Sequence, residues 1–376
     1  MWACGNPFAE KGKELCDVLV VCDPHVIIIS VKDIVLNEAK ELAGFQRWER
    51  KAIDASVDQI YGAEKKLLSL SKVTFNDGSH GLTLPEPGQR MIHRIAVAFG
   101  SEGKVPIKSG DFGKGFVHVM HEESFFRLLD ELDTISDLTQ YFAAKEEFSS
   151  RCSIVIEGSE ANLLGFYLLN NRSFPAGSDI AVIDDTVWAH LERLPEWKRR
   201  KDANQSSYAW DRLIDLLADP KSKSINGPQP ELDDLEYVLR SMARESRFFR
   251  RVLGEAVQTF LTQAMARKLR SRIIQSPSGI IYVLVYFFPE DPYEHRTPEL
   301  ALRCVAARKK VGEGQIVIGV GIGQHESGQG STSDVVYLNP PDWKEFIAGA
   351  ENAMKSAKYF TQAEMQKKHF DEYPPG

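Results

Sequence analysis

Paired cysteines, long apolar runs and an excess of positive charge are all missing from this sequence. Cys4, Cys16, Cys22, Cys152 and Cys304 form an odd, scattered set with no CxxC pair, which argues against a disulfide framework or a zinc finger. They read as reduced thiols, with Cys16 and Cys22 as small buried hydrophobes inside strand-like sequence. No apolar stretch approaches the roughly 20 residues that span a bilayer; the longest, Val18 to Val31, is interrupted by Cys22, Asp23, Pro24 and His25. Met1 to Lys13 lacks the basic-then-apolar order of a secretory signal, so the expectation is a cytoplasmic protein with no membrane partner. Lys and Arg total 46 against 53 Asp and Glu, a net charge of -7, and any nucleic-acid partner would need a local basic face.

What is present is ordinary globular composition. The 376 residues are 43% hydrophobic and 26% charged, enough for two or three domains with real cores. Leu15 to Val21 and Val26 to Val31 are two β-rich runs separated by Cys22-Asp23-Pro24-His25, and the Asp-Pro turn signal makes them a hairpin. From Asn37 to Ser71 apolar residues recur at helical spacing, as at Ile53, Val57, Ile60 and Leu67. Strands are expected at His93 to Phe99 and Gly115 to Met120, and helices at Glu122 to Asp130 and Ser136 to Phe148, the second behind the capping residues Asp133-Thr134. This order predicts an α/β fold, a mixed sheet flanked by helices, over residues 1–150.

Residues 151–225 read as a linker or subdomain, with the polar stretch Trp197 to Ser206 inside it and the breaker run Pro220 to Pro230 as the boundary. Residues 226–376 read as a second helical and α/β domain: a long helical region from Glu231 to Arg270, then alternating strands and helices. No internal repeat recurs at a fixed period.

The chemistry-bearing feature is the hairpin. A turn centred on Asp23-Pro24 pairs positions summing to about 47, which sets Asp17 opposite Ser30, with Lys32 two residues farther on the same face. An acid and a lysine at the ends of adjacent strands suit metal-assisted phosphodiester hydrolysis, in which carboxylates hold Mg²⁺ and lysine orients or activates the attacking water.

Glu14-Leu15-Cys16-Asp17-Val18-Leu19-Val20-Val21 followed by Ile27-Ile28-Ile29-Ser30-Val31-Lys32 resembles the PD-(D/E)XK nuclease superfamily, which includes restriction endonucleases, junction resolvases and nuclease-related domains. In that family an Asp begins the second core strand and a (D/E)-x-K tripeptide lies on the third. Asp17 and Lys32 match their places, and the helix that follows carries Gln59 and Tyr61, polar groups of the kind some members place beside the substrate. Ser30 stands where the family has its second carboxylate. The resemblance implies a restriction-endonuclease-like domain over residues 1–150 acting on DNA or RNA with Mg²⁺ or Mn²⁺. Asp17 would be a metal ligand, Lys32 the water-orienting base, and Ser30, Gln59 and Tyr61 the remaining site residues. Glu38, Glu41 or Glu49 on the adjacent helix would supply the missing acid, and Glu10 or Glu14 would serve for the additional acid that the family usually carries on an N-terminal helix. The competing expectation is a binding or scaffold protein that kept the nuclease-like fold after losing that acid and works through its C-terminal domain.

Other patterns are less specific. Arg240, Arg244, Arg247 and Arg251 recur so as to align on one helix face, which fits either a phosphate-tracking stripe or a solvated face, and Lys198 to Lys201 carries the same ambiguity. Gly319-Val320-Gly321-Ile322-Gly323 lacks the G-x-G-x-x-G spacing of a dinucleotide loop and reads as close packing in a crowded strand. His93, His118 and His121 have no Cys or acid at ligand spacing and read as satisfied core or edge histidines.

Overall fold

In the computed structural model, described for residues 2–10, 13–37, 41–75, 78, 83–177, 179–219, 232–324, 331–357, 359–360 and 370–374, the chain divides into two compact units, Met1–Leu194 and Pro195–Gly376. Both are α/β, with mixed sheets flanked by helices. No helix among the described residues is long and apolar enough to cross a membrane.

The first unit begins with β1 (Trp2–Gly5), β2 (Phe8–Glu10), β3 (Lys13–Glu14), β4 (Val18–Cys22) and β5 (His25–Asp33). Antiparallel pairing of β4 with β5 runs from Val18 opposite Ile29 to Cys22 opposite His25, the register expected from a turn at Asp23-Pro24. α1 (Glu41–Glu49), a π-helical turn at Arg50–Asp54 and α2 (Ala55–Leu67) then cross over to β6 (Met91–Phe99), which pairs parallel with β5. β7 (Gly110–Asp111) and β8 (Phe116–His121) complete a six-stranded sheet ordered β1-β4-β5-β6-β8-β7.

Alternation along the strands gives the two faces different neighbours. Leu19, Val21, Val26, Ile28, Ala96, Ala98, Val117 and Val119 join Trp48, Ile53, Val57 and Ile60 in one apolar core under α1 and α2. On the other face His93 and His118 meet Phe142 at ring-centroid distances of 5.9 and 4.2 Å. Phe142 belongs to α4 (Ile135–Arg151), which follows α3 (Glu122–Glu131) and starts where the Thr134 side chain accepts the Asp137 N–H at 3.2 Å. That hydrogen bond satisfies one of the helix's free N-terminal donors.

The unit closes with β9 (Ser153–Ile156), α5 (Glu160–Leu169), β10 (Ile180–Ile183) and α6 (Val187–Arg193), with β9 and β10 paired in parallel. Residues 153–193 therefore belong to the first unit. The division at Leu194/Pro195 replaces the expected limits at 150 and 225, because Glu160 of α5 binds Tyr141 and Lys145 of α4. Pro220 to Pro230 lies outside the described residues.

The second unit opens with α7 (Pro195–Ala203) and α8 (Tyr208–Ala218), so the polar stretch Trp197 to Ser206, expected within a linker or subdomain, is helical to Ala203. Its charge misled the reading: Arg200 is buried, with its guanidinium 4.1 Å from the Trp197 ring centroid, a cation–π contact that removes it from solvent. α9 (Leu232–Ala243) and α10 (Arg247–Met265) follow. Then come β11 (Ser271–Gln275), β12 (Ile281–Phe287), α11 (Tyr293–Val311), β13 (Val317–Gln324), β14 (Ser331–Leu338) and α12 (Trp343–Ala357). The four strands pair in chain order, with β12 and β13 parallel. Tyr282, Leu284, Ile318 and Val320 pack with α8, α9 and α10, while Val283, Val285 and Phe287 pack with Leu300, Cys304 and Trp343. A Cβ on Gly319 would stand 2.6 Å from Cys304 Sγ, and one on Gly321 2.6 Å from the Phe287 ring. Those glycines permit close packing, as their sequence predicts.

Candidate functional site

Asp17 sits at the bend just before β4, and this position decides what its carboxylate does. Its Oδ2 accepts the Val31 N–H of β5 at 2.6 Å. Its backbone carbonyl accepts the Asn6 N–H at 2.8 Å. The side chain thus continues the β4–β5 ladder past the end of the regular strand. Ser30 and Lys32 lie on the face toward α2, where the single amide of Gln59 meets both: Ser30 Oγ donates to Gln59 Oε1 at 2.9 Å, and Lys32 Nζ donates to the same oxygen. Lys32 Nζ is also 3.6 Å from Asp17 Oδ2, with a quarter of each side chain exposed. Asp17, Ser30, Lys32 and Gln59 therefore form one connected group at the end of the hairpin.

Tyr61 does not join them. It is buried, and its hydroxyl donates to the Gly115 carbonyl at 2.6 Å with Lys114 stacked on its ring. Glu14 is exposed on β3 and Glu49 on α1. Glu38, and the side chains of Glu10 and Glu41, lie outside the described residues. Cys16 is buried beside the group; burial first, then the charges of Asp17 and Glu14, push its thiol up to about 12. A thiol held that high is not a nucleophile at neutral pH.

The donor set decides whether a divalent ion fits. Mg²⁺ demands near-octahedral oxygen ligation and takes one or two carboxylates besides water. Here one carboxylate is already tied to an N–H and a lysine, the neutral Ser30 hydroxyl donates its hydrogen bond to Gln59, and Gln59 Oε1 accepts from two donors. Among the described residues no group of three or more His, Cys, Asp or Glu converges to hold a metal. These residues do not fit Mg²⁺ or Mn²⁺.

The basic clusters take a structural role. The helical face expected for Arg240, Arg244, Arg247 and Arg251 is broken between α9 and α10, where Ser246 caps α10 by accepting the Phe249 N–H at 3.3 Å. Arg240 pairs with Glu236. Arg247 is buried and donates to Asp211 at 2.6 Å and Ser207 at 3.0 Å. Arg251 is buried as well. A phosphate stripe is not formed, because the alignment assumed one unbroken helix.

Two polar groups in the first unit escaped the sequence reading. Arg94 of β6 and Glu64 of α2 form a two-pronged ion pair at 2.7 and 2.6 Å. Lys145 of α4, 3% exposed, donates to Glu160 at 2.6 Å and Ser109 at 2.9 Å, while Tyr141 donates to the same Glu160 oxygen at 2.6 Å. A signal existed: Lys145 occupies an apolar-stripe position in the series Leu138, Tyr141, Phe142, Phe148. His93 and His118 are buried as expected but only half satisfied. His93 Nε2 lies 3.1 Å from His25 Nδ1 and His118 Nε2 lies 3.0 Å from Glu146, yet among the described residues the Nδ1 atoms of His93 and His118 have no hydrogen-bond partner. His121 is bonded on both nitrogens, to Ser101 and the Val105 carbonyl.

Comparison with protein-family models, with curated proteins and with solved structures found no match.

Proposed function

We propose that the first unit is a nuclease-like domain of the PD-(D/E)XK type whose altered site contacts nucleic-acid phosphate without metal-dependent cleavage, and that the protein acts as a binding or scaffold module. One observation carries this reading. The Asp and Lys of the motif stand on adjacent strands 3.6 Å apart, but the oxygen that would complete a metal site is replaced by a buried Ser30 locked to Gln59. Lys32 keeps a partly exposed ammonium with more donors than its bonded partners use, which suits a single phosphate oxygen. The alternative, a Mg²⁺- or Mn²⁺-dependent phosphodiesterase acting on DNA or RNA, draws support from the Asp17–Lys32 juxtaposition. It requires an acid such as Glu38 from outside the described residues.

Oligonucleotide binding and cleavage by wild type and Lys32→Ala separate the readings. We expect weak, salt-sensitive binding by wild type, a several-fold loss in Lys32→Ala, and no cleavage in Mg²⁺ or Mn²⁺. Metal-stimulated cleavage that vanishes in Lys32→Ala and in Asp17→Asn would establish the phosphodiesterase instead.

A further inference from the structure

Within the second unit, α7 and α10 bring three arginines onto one short segment, residues 370–374. Arg251 donates through Nη1 to the Glu372 carbonyl at 3.1 Å and through Nη2 to the Asp371 carbonyl. Arg199 Nε donates to the Pro374 carbonyl at 3.2 Å. Arg200 Nη1 pairs with the Glu372 carboxylate at 3.1 Å, and its guanidinium lies 5.7 Å from the Tyr373 ring centroid. Three elements of a short peptide that bends at Glu372 and Tyr373 are read in this way: its main-chain carbonyls, one acidic side chain and the aromatic ring after it.

Two physical features distinguish this from an ordinary packing contact. None of residues 370–374 belongs to either apolar cluster of the unit, and none is buried, so polar contacts hold the segment and little apolar area is lost when it leaves. The arginines, by contrast, are closely covered while it is in place. Arg200 and Arg251 are 2% and 3% exposed, and Arg200 repels the Arg251 charge while Glu255, Glu372 and Asp371 favour it. Two of the three acids that favour the Arg251 charge therefore belong to the segment, and the third, Glu255, to α10 itself.

We infer that Arg199, Arg200 and Arg251 form a docking site for a short acidic peptide of a partner protein, a carboxylate followed by an aromatic residue, and that residues 370–374 occupy it in the free protein. Main-chain carbonyls give such a site affinity for any short peptide, and the Arg200–carboxylate pair gives it its preference. A nucleic-acid strand would offer these arginines phosphate oxygens, but the occupant that the structure holds is a peptide segment. The inference concerns the second unit and is independent of the Asp17–Lys32 reading.

The test is fluorescence anisotropy with a labelled Phe-Asp-Glu-Tyr-Pro peptide, using the full chain and a chain ending at residue 369. We expect saturable binding to the shortened chain, at least tenfold weaker binding to the full chain, whose own segment competes, and at least tenfold loss when the peptide's Glu is replaced by Lys. Full-length Glu372→Lys, which sets a cation against Arg200, should open the site and bind the unmodified peptide as the shortened chain does. Folded variants that fail to bind the peptide, or that gain affinity for a single-stranded oligonucleotide and none for the peptide, would overturn the inference. Loss of folding in both variants would do so too, by making the segment a fixed part of the unit.

Discussion

Lys145→Met is expected to lower the stability of the first unit by about 3–5 kcal/mol, the usual result of removing one partner from a buried ion pair. Lys145 and Glu160 are 3% and 7% exposed at 2.6 Å separation. Without the ammonium, Glu160 keeps only the Tyr141 hydroxyl of its two buried donors, and Ser109 loses one of its two donors while keeping the Val119 N–H. The methionine fills similar space, so the lost charge and not a cavity carries the effect. For a domain near this size the thermal midpoint should fall by on the order of 10 °C. Lys145→Met/Glu160→Gln, which removes both charges, should recover most of that loss. Calorimetry reads both: a single variant melting within about 2 °C of wild type, or a double variant no better than the single, would contradict the pairing.

The second large effect is acid lability of the first unit. Burial, reinforced by His25 and His118, lowers His93 from its ordinary 6.5 to about 3. Burial, with Lys145 and Arg94, also holds His118 well below its ordinary value. Both imidazoles stay neutral in the fold while the unfolded chain takes up protons near pH 6.5. The stability they provide is therefore intact above that value and is lost as pH falls from 6.5 toward 3. For His93 alone the loss is on the order of 4 kcal/mol at the acid end. Glu146 opposes the trend: burial raises its carboxyl, so it binds a proton in the fold before it does in the unfolded chain. The two histidines outweigh it. Thermal midpoints measured from pH 7 to pH 4 should fall steeply in wild type and less so in His93→Gln. Equal slopes would show that His93 is not the acid-sensitive group.

How much of this was legible in the sequence depended on whether the signal was local. The hairpin was: alternating apolar residues, an Asp-Pro turn and the pairing sum gave the strand register that sets Ser30 across from Asp17. The Thr134 cap and the strands at His93 and Phe116 were local as well. β1, by contrast, is four residues long and carries no alternation of its own; it is a strand because it pairs with β4. α7 read as a polar stretch within a linker or subdomain because the partners of its arginines, Trp197 and residues 372–374, cannot be seen from its charge pattern. At the site, the sequence supplied Asp17, Ser30, Lys32 and Gln59, but not that one Gln59 oxygen would take donors from both Ser30 and Lys32. That contact depends on how α2 packs across β5, a tertiary fact with no local counterpart. Tyr61, two residues along the same helix, is turned instead to Gly115.

The most direct test of the central claim is calorimetric titration of Mn²⁺ and Mg²⁺ into wild type and Ser30→Asp. Aspartate is chosen over glutamate because Ser30 is fully buried and the shorter carboxylate intrudes least on Gln59. With Asp17 as the one carboxylate of this group among the described residues, wild type should give no saturable binding at its hairpin. Ser30→Asp should be less stable than wild type in metal-free buffer, since two acids then share the site, and should bind Mn²⁺ with a matching rise in melting temperature. Saturable metal binding by wild type that disappears in Asp17→Asn would contradict the account and restore a metal-dependent phosphodiesterase.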